Sequence, residues 1–387
     1  MKHRLKKIGL IGLISPILFA ADIETSGFVD ARYGIRTQSD PNSDQETLSE
    51  LRLQLGSIWY HDLFTATVRS DFLYDSVNDL HEPIDLREFN IQFSPLDWMD
   101  VKFGRQILTW GTGDMLFIND LFSKDWKSFF AGRDVEYLKA PSDALFMSFF
   151  PTFGNIDIAY LPRFAPDRFI DGERFSYWGG AGLTGADLQT DPPDNWFGDD
   201  EIAVRISRNF QGLETALYFY DGFWKTPQGF DPVSGKNTFP KLNVYGASAR
   251  RALLGGIANL EAGYYDSSDG VADQIRLLAG YEHEIVQDLT GAIQYYTEQK
   301  RGDKESRHVL TLRLTQMLMN QNLTLGLFTY WSPSDQDGYL RPSAAYKLSD
   351  HWKLEARGNF FFGKDNDTFF GQFQDNNNLS ISARYSF

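Results

Sequence analysis

The last nine residues, LSISARYSF, place Leu379, Ile381, Ala383, Tyr385 and Phe387 on one face and Ser380, Ser382, Arg384 and Ser386 on the other. A period of two is that of a strand. The same alternation recurs back along the chain. It predicts strands at 24–36, 48–60, 63–75, 84–94, 99–110, 142–150, 155–164, 200–209, 212–223, 241–252, 257–267, 271–285, 289–299, 306–318, 322–332, 339–348, 352–362 and 377–387. About ten residues suffices to cross a bilayer as a tilted strand. The count is 18, with 16 as the alternative, and both are even.

The connections carry an independent signal. Tight turns fall at His61-Asp62, Pro95 to Trp98, Pro151 to Gly154, Asn209 to Gly212, Leu253 to Gly256, Gln287-Asp288, Met319 to Gln321 and Ser349 to His351. Longer connections alternate with them, including 111–141, 165–199, 224–240 and 363–376. Short turns on one side and long loops on the other are the habit of bacterial outer-membrane barrels, and with a periplasmic N-terminus every tight turn lies on that side. A soluble β-sandwich also alternates, but it rarely sustains so many segments with one-sided loop lengths. The expected fold is therefore all-β: a transmembrane antiparallel β-barrel formed by residues 22–387.

Residues 1–21 read differently. Lys2, Arg4, Lys6 and Lys7 precede an apolar run from Ile8 to about Ala21, too short to span a membrane and shaped like a cleaved signal peptide. Its loss takes the formal charge from -15 to -19 by removing four basic residues. So acidic a chain is a poor partner for nucleic acid. The absence of cysteine excludes disulfides and thiolate chemistry. Aromatic residues make up 15% of the sequence. Trp59, Trp98, Trp352 and Tyr385 near the periplasmic strand ends, with Tyr74, Trp110, Trp331 and Phe360 to Phe362 near the outer ends, suggest two interfacial girdles.

If the apolar face of each strand meets lipid, the other lines the lumen. That parity turns inward the basic residues Arg52, Arg69, Lys102, Arg205, Arg276, Arg307, Arg313, Arg341, Lys347, Lys353, Arg357 and Arg384, against the acidic residues Asp71, Glu88, Glu214, Glu282, Glu298 and Glu355. Twelve basic groups facing six acidic ones suggest a pore that attracts anions; the alternative is that these charges pair and stiffen the wall. Arg105 shares a face with Phe103 and Ile107, and a bulge near Gly104 is expected to turn it inward as a further pore-lining residue.

The connection 111–141 mixes apolar residues at helical spacing with Asp114, Lys124, Asp125, Lys127, Arg133 and Asp134. It is the candidate constriction loop, able to fold inward or to cap the rim. The acidic, glycine-rich connection 165–199 reads as an exposed, mobile loop; its carboxylates have no regular ligand spacing for calcium.

No HExxH, GxSxG or P-loop motif occurs, and RGD at Arg301 to Asp303 is too short to imply adhesion. Gly104-Arg105-Gln106 followed by Trp110-Gly111 resembles the strand-to-loop sequence of large outer-membrane channels, including the alginate-export type, though the residues after Gly111 depart from that type. The resemblance implies a monomeric 18-stranded channel with an Arg-rich lumen and makes acidic polysaccharide one candidate permeant. The expectation is a porin-like passive channel for small or extended polar, anionic solutes, needing no cofactor and performing no catalysis. Its partners would be the bilayer, lipopolysaccharide, its solutes and, through the terminal Phe387, the barrel-assembly machinery. The competing functions are a barrel enzyme and a closed, surface-binding barrel.

Overall fold

The computed structural model describes residues 22–77 and 83–387, so the expected leader at 1–21 lies outside the described residues. The strands are β1 Asp22–Arg36, β2 Glu46–His61, β3 Phe64–Asp75, β4 Ile84–Leu96, β5 Met99–Ile107 and β6 Pro141–Phe149. Next come β7 Asn155–Leu161, β8 Glu201–Phe210, β9 Leu213–Phe223, β10 Lys241–Leu253, β11 Gly256–Ser267 and β12 Gln274–Val286. The last are β13 Leu289–Lys300, β14 Arg307–Leu318, β15 Leu323–Ser332, β16 Asp337–Lys347, β17 Trp352–Gly363 and β18 Asn378–Ser386. Each pairs antiparallel with its neighbours in sequence, and β1 also pairs with β18, from Phe28 opposite Ser386 to Arg36 opposite Asn378. The 18-stranded sheet is therefore a closed barrel without a free edge, the only form in which strands can satisfy their backbone inside lipid.

The alternation read from sequence is visible in burial. Along β1, Asp30, Arg32, Gly34 and Arg36 are buried, while Val29, Ala31, Tyr33 and Ile35 are exposed. Outward Phe89, Phe103, Leu217 and Ile381 are each more than 60% exposed, a state that only a lipid surround makes favourable. Among the described residues no helix is long and apolar enough to cross a membrane.

Two girdle assignments change. β5 ends at Ile107 rather than residue 110, so Trp110 leaves the outer wall and packs inside against Phe122, Phe146 and Tyr218. In β17, Phe360 and Phe362 flank an inward Phe361 that is fully buried. The hydrophobic core consequently lies in the lumen, where inward Tyr265, Tyr339, Phe361 and Leu278 meet Ile118, Phe129 and Phe130 of the β5–β6 connection.

Candidate functional site

The connection between β5 and β6 enters the lumen and meets the wall nearly all the way round. The backbone N–H groups of Thr112 and Gly113 donate to Glu261 of β11, whose carboxylate also accepts from Asn119 at 2.9 Å. Three donors account for a carboxylate buried this deeply. Asp114 meets Arg313 of β14. The Tyr330 and Tyr265 hydroxyls donate to the carbonyls of Met115 and Ile118, both at 2.5 Å.

Asp120 then draws Lys124 (2.9 Å), Lys139 and Thr109 (2.8 Å) together, closing the base of the loop. A single-turn helix, α1 Trp126–Ala131, follows. Asp125 caps it by accepting from the Ser128 N–H at 2.7 Å, and Gly132 ends it with φ 88°. The rings of Phe129 and Phe130 lie against Tyr339 and Phe361.

Beyond the helix the chain is held by charge. The Gly132 carbonyl accepts from Arg32 at 2.7 Å, and the Arg133 carbonyl accepts from Arg341 at 2.9 Å and Arg357 at 3.2 Å. The Arg133 guanidinium pairs with Glu50. Asp134 meets Arg357, Arg384 at 2.5 Å and Lys353 at 3.8 Å. Burial opposes its charge, but the attraction of Arg357, Arg384 and Lys353 wins and holds this carboxyl well below the ordinary range. Asp114 goes the other way: burial pushes it up, Arg313 offsets only part, and Glu282 adds to the rise. Finally Tyr137 lies under the guanidiniums of Arg52 at 4.0 Å and Arg87 at 4.8 Å.

Ten of the basic side chains singled out from sequence divide into two groups. Arg52, Arg276, Arg307, Arg341 and Arg357 serve the wall and the loop. Arg52 is buried with Glu50 and Asp71, Arg276 stacks on Tyr265 and pairs with Glu298, Arg307 pairs with Asp335, and Arg341 covers the Phe129 ring. Arg69, Lys102, Arg205, Arg313 and Lys353 instead keep 39, 27, 32, 35 and 36% of their side chains in water. Their carboxylate partners Glu88, Asp157, Asp114 and Asp134 are 13, 12, 26 and 9% exposed. In each of these pairs the cation is the wetter member; at Lys347, by the periplasmic turn, the partner Asp350 is wetter instead, 91% against 54%.

Three expectations need correction. Register runs unbroken through Gly104 on both sides of β5, so no bulge turns Arg105 inward. It stays on the outer face opposite Phe89, donates to the Leu86 carbonyl at 2.6 Å and pairs with Asp143 at 3.2 Å. The twofold basic excess also fails for the whole inner face. The parity count passed over Asp30, Glu50, Asp75, Asp157, Glu201, Glu261 and Asp337, and with them Arg32 and Arg36. A real bulge lies in β4, where Arg69 pairs with Glu88 but Ser70 with Leu86, and it brings Arg87 and Asp85 inside as well. Lastly, the connection 165–199 is not wholly an exposed loop. Arg174 is buried against Asp75 at 2.6 Å, Phe175 is buried, and Arg168 grips Asp85 with two bonds of 2.9 Å; most of the exposed positions fall within 179–199. Of the loop candidates, Lys127 faces this second loop, pairing with Asp171 and Glu173, while Lys124 and Asp125 are buried in the first.

Above the inward loop, toward the long connections, a cavity of about 350 Å³ opens between Trp126, Trp224, Tyr296, Lys225 and Arg276. Among the described residues no three His, Asp or Glu side chains gather to hold a metal.

No family model matches the chain, and no curated protein matches it. Among solved structures it is similar to OccD3 (OpdP) of Pseudomonas aeruginosa, with 13% identity over 94% of this chain and 91% of that one and a TM-score of 0.59. It also aligns with OmpF of Salmonella typhi in complex with daunomycin (10% identity, 95% and 98% of the chains, TM-score 0.48) and with a mutant porin of Rh. blastica (12%, 95% and 100%, 0.44). At 13% identity the OccD3 likeness is one of fold. A closed 18-stranded antiparallel barrel with an apolar outer belt and a structured inward loop is a porin-like barrel of the bacterial outer membrane.

Proposed function

We propose that the protein is a passive channel for small or extended polar solutes, with anions preferred, and that it performs no catalysis. The observation that carries this reading is the asymmetry of the wet ion pairs. Where Arg69, Lys102, Arg205, Arg313 and Lys353 face water, the balancing carboxylate lies deeper in the wall. A near-neutral lining therefore presents a positive field to a solute, because local field rather than total charge selects. The loop anchored at Asp114 and Asp134 would set the width of the passage.

Reversal potentials across planar bilayers under a salt gradient test this. The native channel is expected to favour chloride over potassium, and Arg69, Arg205 and Lys353 changed together to Glu are expected to reverse the sign. A conducting barrel whose selectivity ignores these three charges would sink the assigned lining. A correctly inserted barrel that passes no current would be the closed, surface-binding form instead.

A further inference from the structure

The outer wall carries a second basic site that the channel does not use. Arg105 is held on the lipid side of β5, two residues below its extracellular end, directly beside Phe89 and one step above Phe103. Next to it the chain leaving β7 and the start of β6 enclose a cavity of about 300 Å³, lined by Arg105, Asp143, Pro162, Arg163, Arg168 and Trp196. Arg163 is 46% and Arg105 29% exposed. Trp196 and the adjacent Phe197 are 55% and 72% exposed, as aromatic residues are where headgroups meet acyl chains.

We propose that this cavity binds the phosphorylated headgroup of an outer-leaflet glycolipid. Position supports it: the cavity lies just beyond the apolar belt formed by Phe89 and Phe103, the level at which a lipid phosphate sits, with acyl chains free to run down those rings. Chemistry supports it as well. A guanidinium offers a phosphate two parallel donors, and a doubly charged phosphate outbids a single exposed carboxylate. The carboxylates now on these arginines, Asp143 and Asp194, are 52% and 71% exposed, so they can swing into water at little cost. Arg105 would keep its place when Asp143 leaves, because its Nε remains bonded to the Leu86 carbonyl at 2.6 Å. Arg168 contributes field alone, its two terminal nitrogens being taken by Asp85 and Asp125. A cation on the lipid face is otherwise expensive, and a bound phosphate gives Arg105 a reason to be there.

The test uses the full-length protein in detergent micelles, titrated with bisphosphorylated lipid A, with the dephosphorylated lipid and with inorganic phosphate, bound lipid being counted by native mass spectrometry. The bisphosphorylated lipid is expected to bind selectively, and R105A/R163A to weaken it by about tenfold or more, the cost of losing charge-assisted bonds. Arg208→Ala, an outward arginine at the opposite, periplasmic end of β8, should leave binding unchanged. Equal binding of both lipids would mean a merely apolar surface and overturns the proposal. So does full competition by inorganic phosphate, which would make this a general anion site, or native affinity in the double variant. Arg105 faces away from the lumen, so conductance in the same variant stays at the native value and shows that the barrel has folded. The outcome is thereby separable from the channel reading.

Discussion

At the scale of single residues, Asp114 anchors the loop to β14 and Asp134 anchors it to β17 and β18, yet the two respond to acid in opposite ways. Asp134 has a depressed native pKa, so its contribution to stability is present above the ordinary carboxylate range and is lost only when the pH falls through the lower native value. Asp114 has a raised native pKa: its charge is a cost at neutral pH, and acidification relieves that cost as the native state takes up a proton first. As the pH falls, Asp114 should therefore be neutralised first, while Asp134 still anchors the loop. The Arg313 guanidinium then faces the pore without its partner, and the preference for anions should rise by about a few-fold, the scale of one charge interaction near water. Reversal potentials measured down the pH range check this, and Asp114→Asn should show the acid value already at neutral pH. A native selectivity that does not move with pH would refute the assignment. Side-chain direction at this scale was legible wherever alternation ran unbroken, as at Arg69 and Arg313. It was illegible at Arg87, because one extra residue in β4 resets the parity and nothing in the local sequence announces it.

At the scale of elements, α1 is too short to persist without its ends. Asp125→Ala removes the acceptor for the Ser128 N–H and a partner of Arg168, and should cost about 1 kcal/mol or somewhat more. Gly132→Ala should cost about 1–2 kcal/mol, since φ of 88° disfavours a side chain and the added Cβ would lie 2.6 Å from Ser380 Oγ. Barrel unfolding is dominated by the sheet, so the local readout is hydrogen exchange of amides 126–134: both variants should exchange faster there while the strands keep their protection. The strands themselves were readable because lipid demands an apolar residue at every second position. The inward path of 111–141 was only suggested, since Phe129 and Phe130 at helical spacing fit a rim cap equally well. What decides it is complementarity with Tyr339, Phe361, Arg32 and Arg384, which belong to strands far away in sequence. The acidic composition of 165–199 misled for a related reason: Arg174 and Phe175, which pin its first half, are a small minority within it.

At the scale of the whole molecule, the barrel has two apolar surfaces, one facing lipid and one packed inside against the loop, and the question is whether that packing persists in the membrane. The chain has no cysteine, so an engineered pair reports without interference. A Cβ built on Gly132 lies 3.5 Å from the Ser380 Cβ, within the range of about 3.5–4.5 Å that a disulfide spans. Gly132→Cys combined with Ser380→Cys should therefore cross-link on mild oxidation of membranes carrying the protein, and neither single variant should. Failure to form the bond would place the loop elsewhere in the native membrane. Once formed, the bond should change conductance little, because Gly132 already lies beside anchors at Arg32, Glu50 and Asp134 that fix this stretch to the wall. A current that collapses on oxidation and returns with reductant would mean that permeation requires the loop to leave the wall. The passage would then be a gate opened by breaking those ion pairs, rather than a fixed opening beside them.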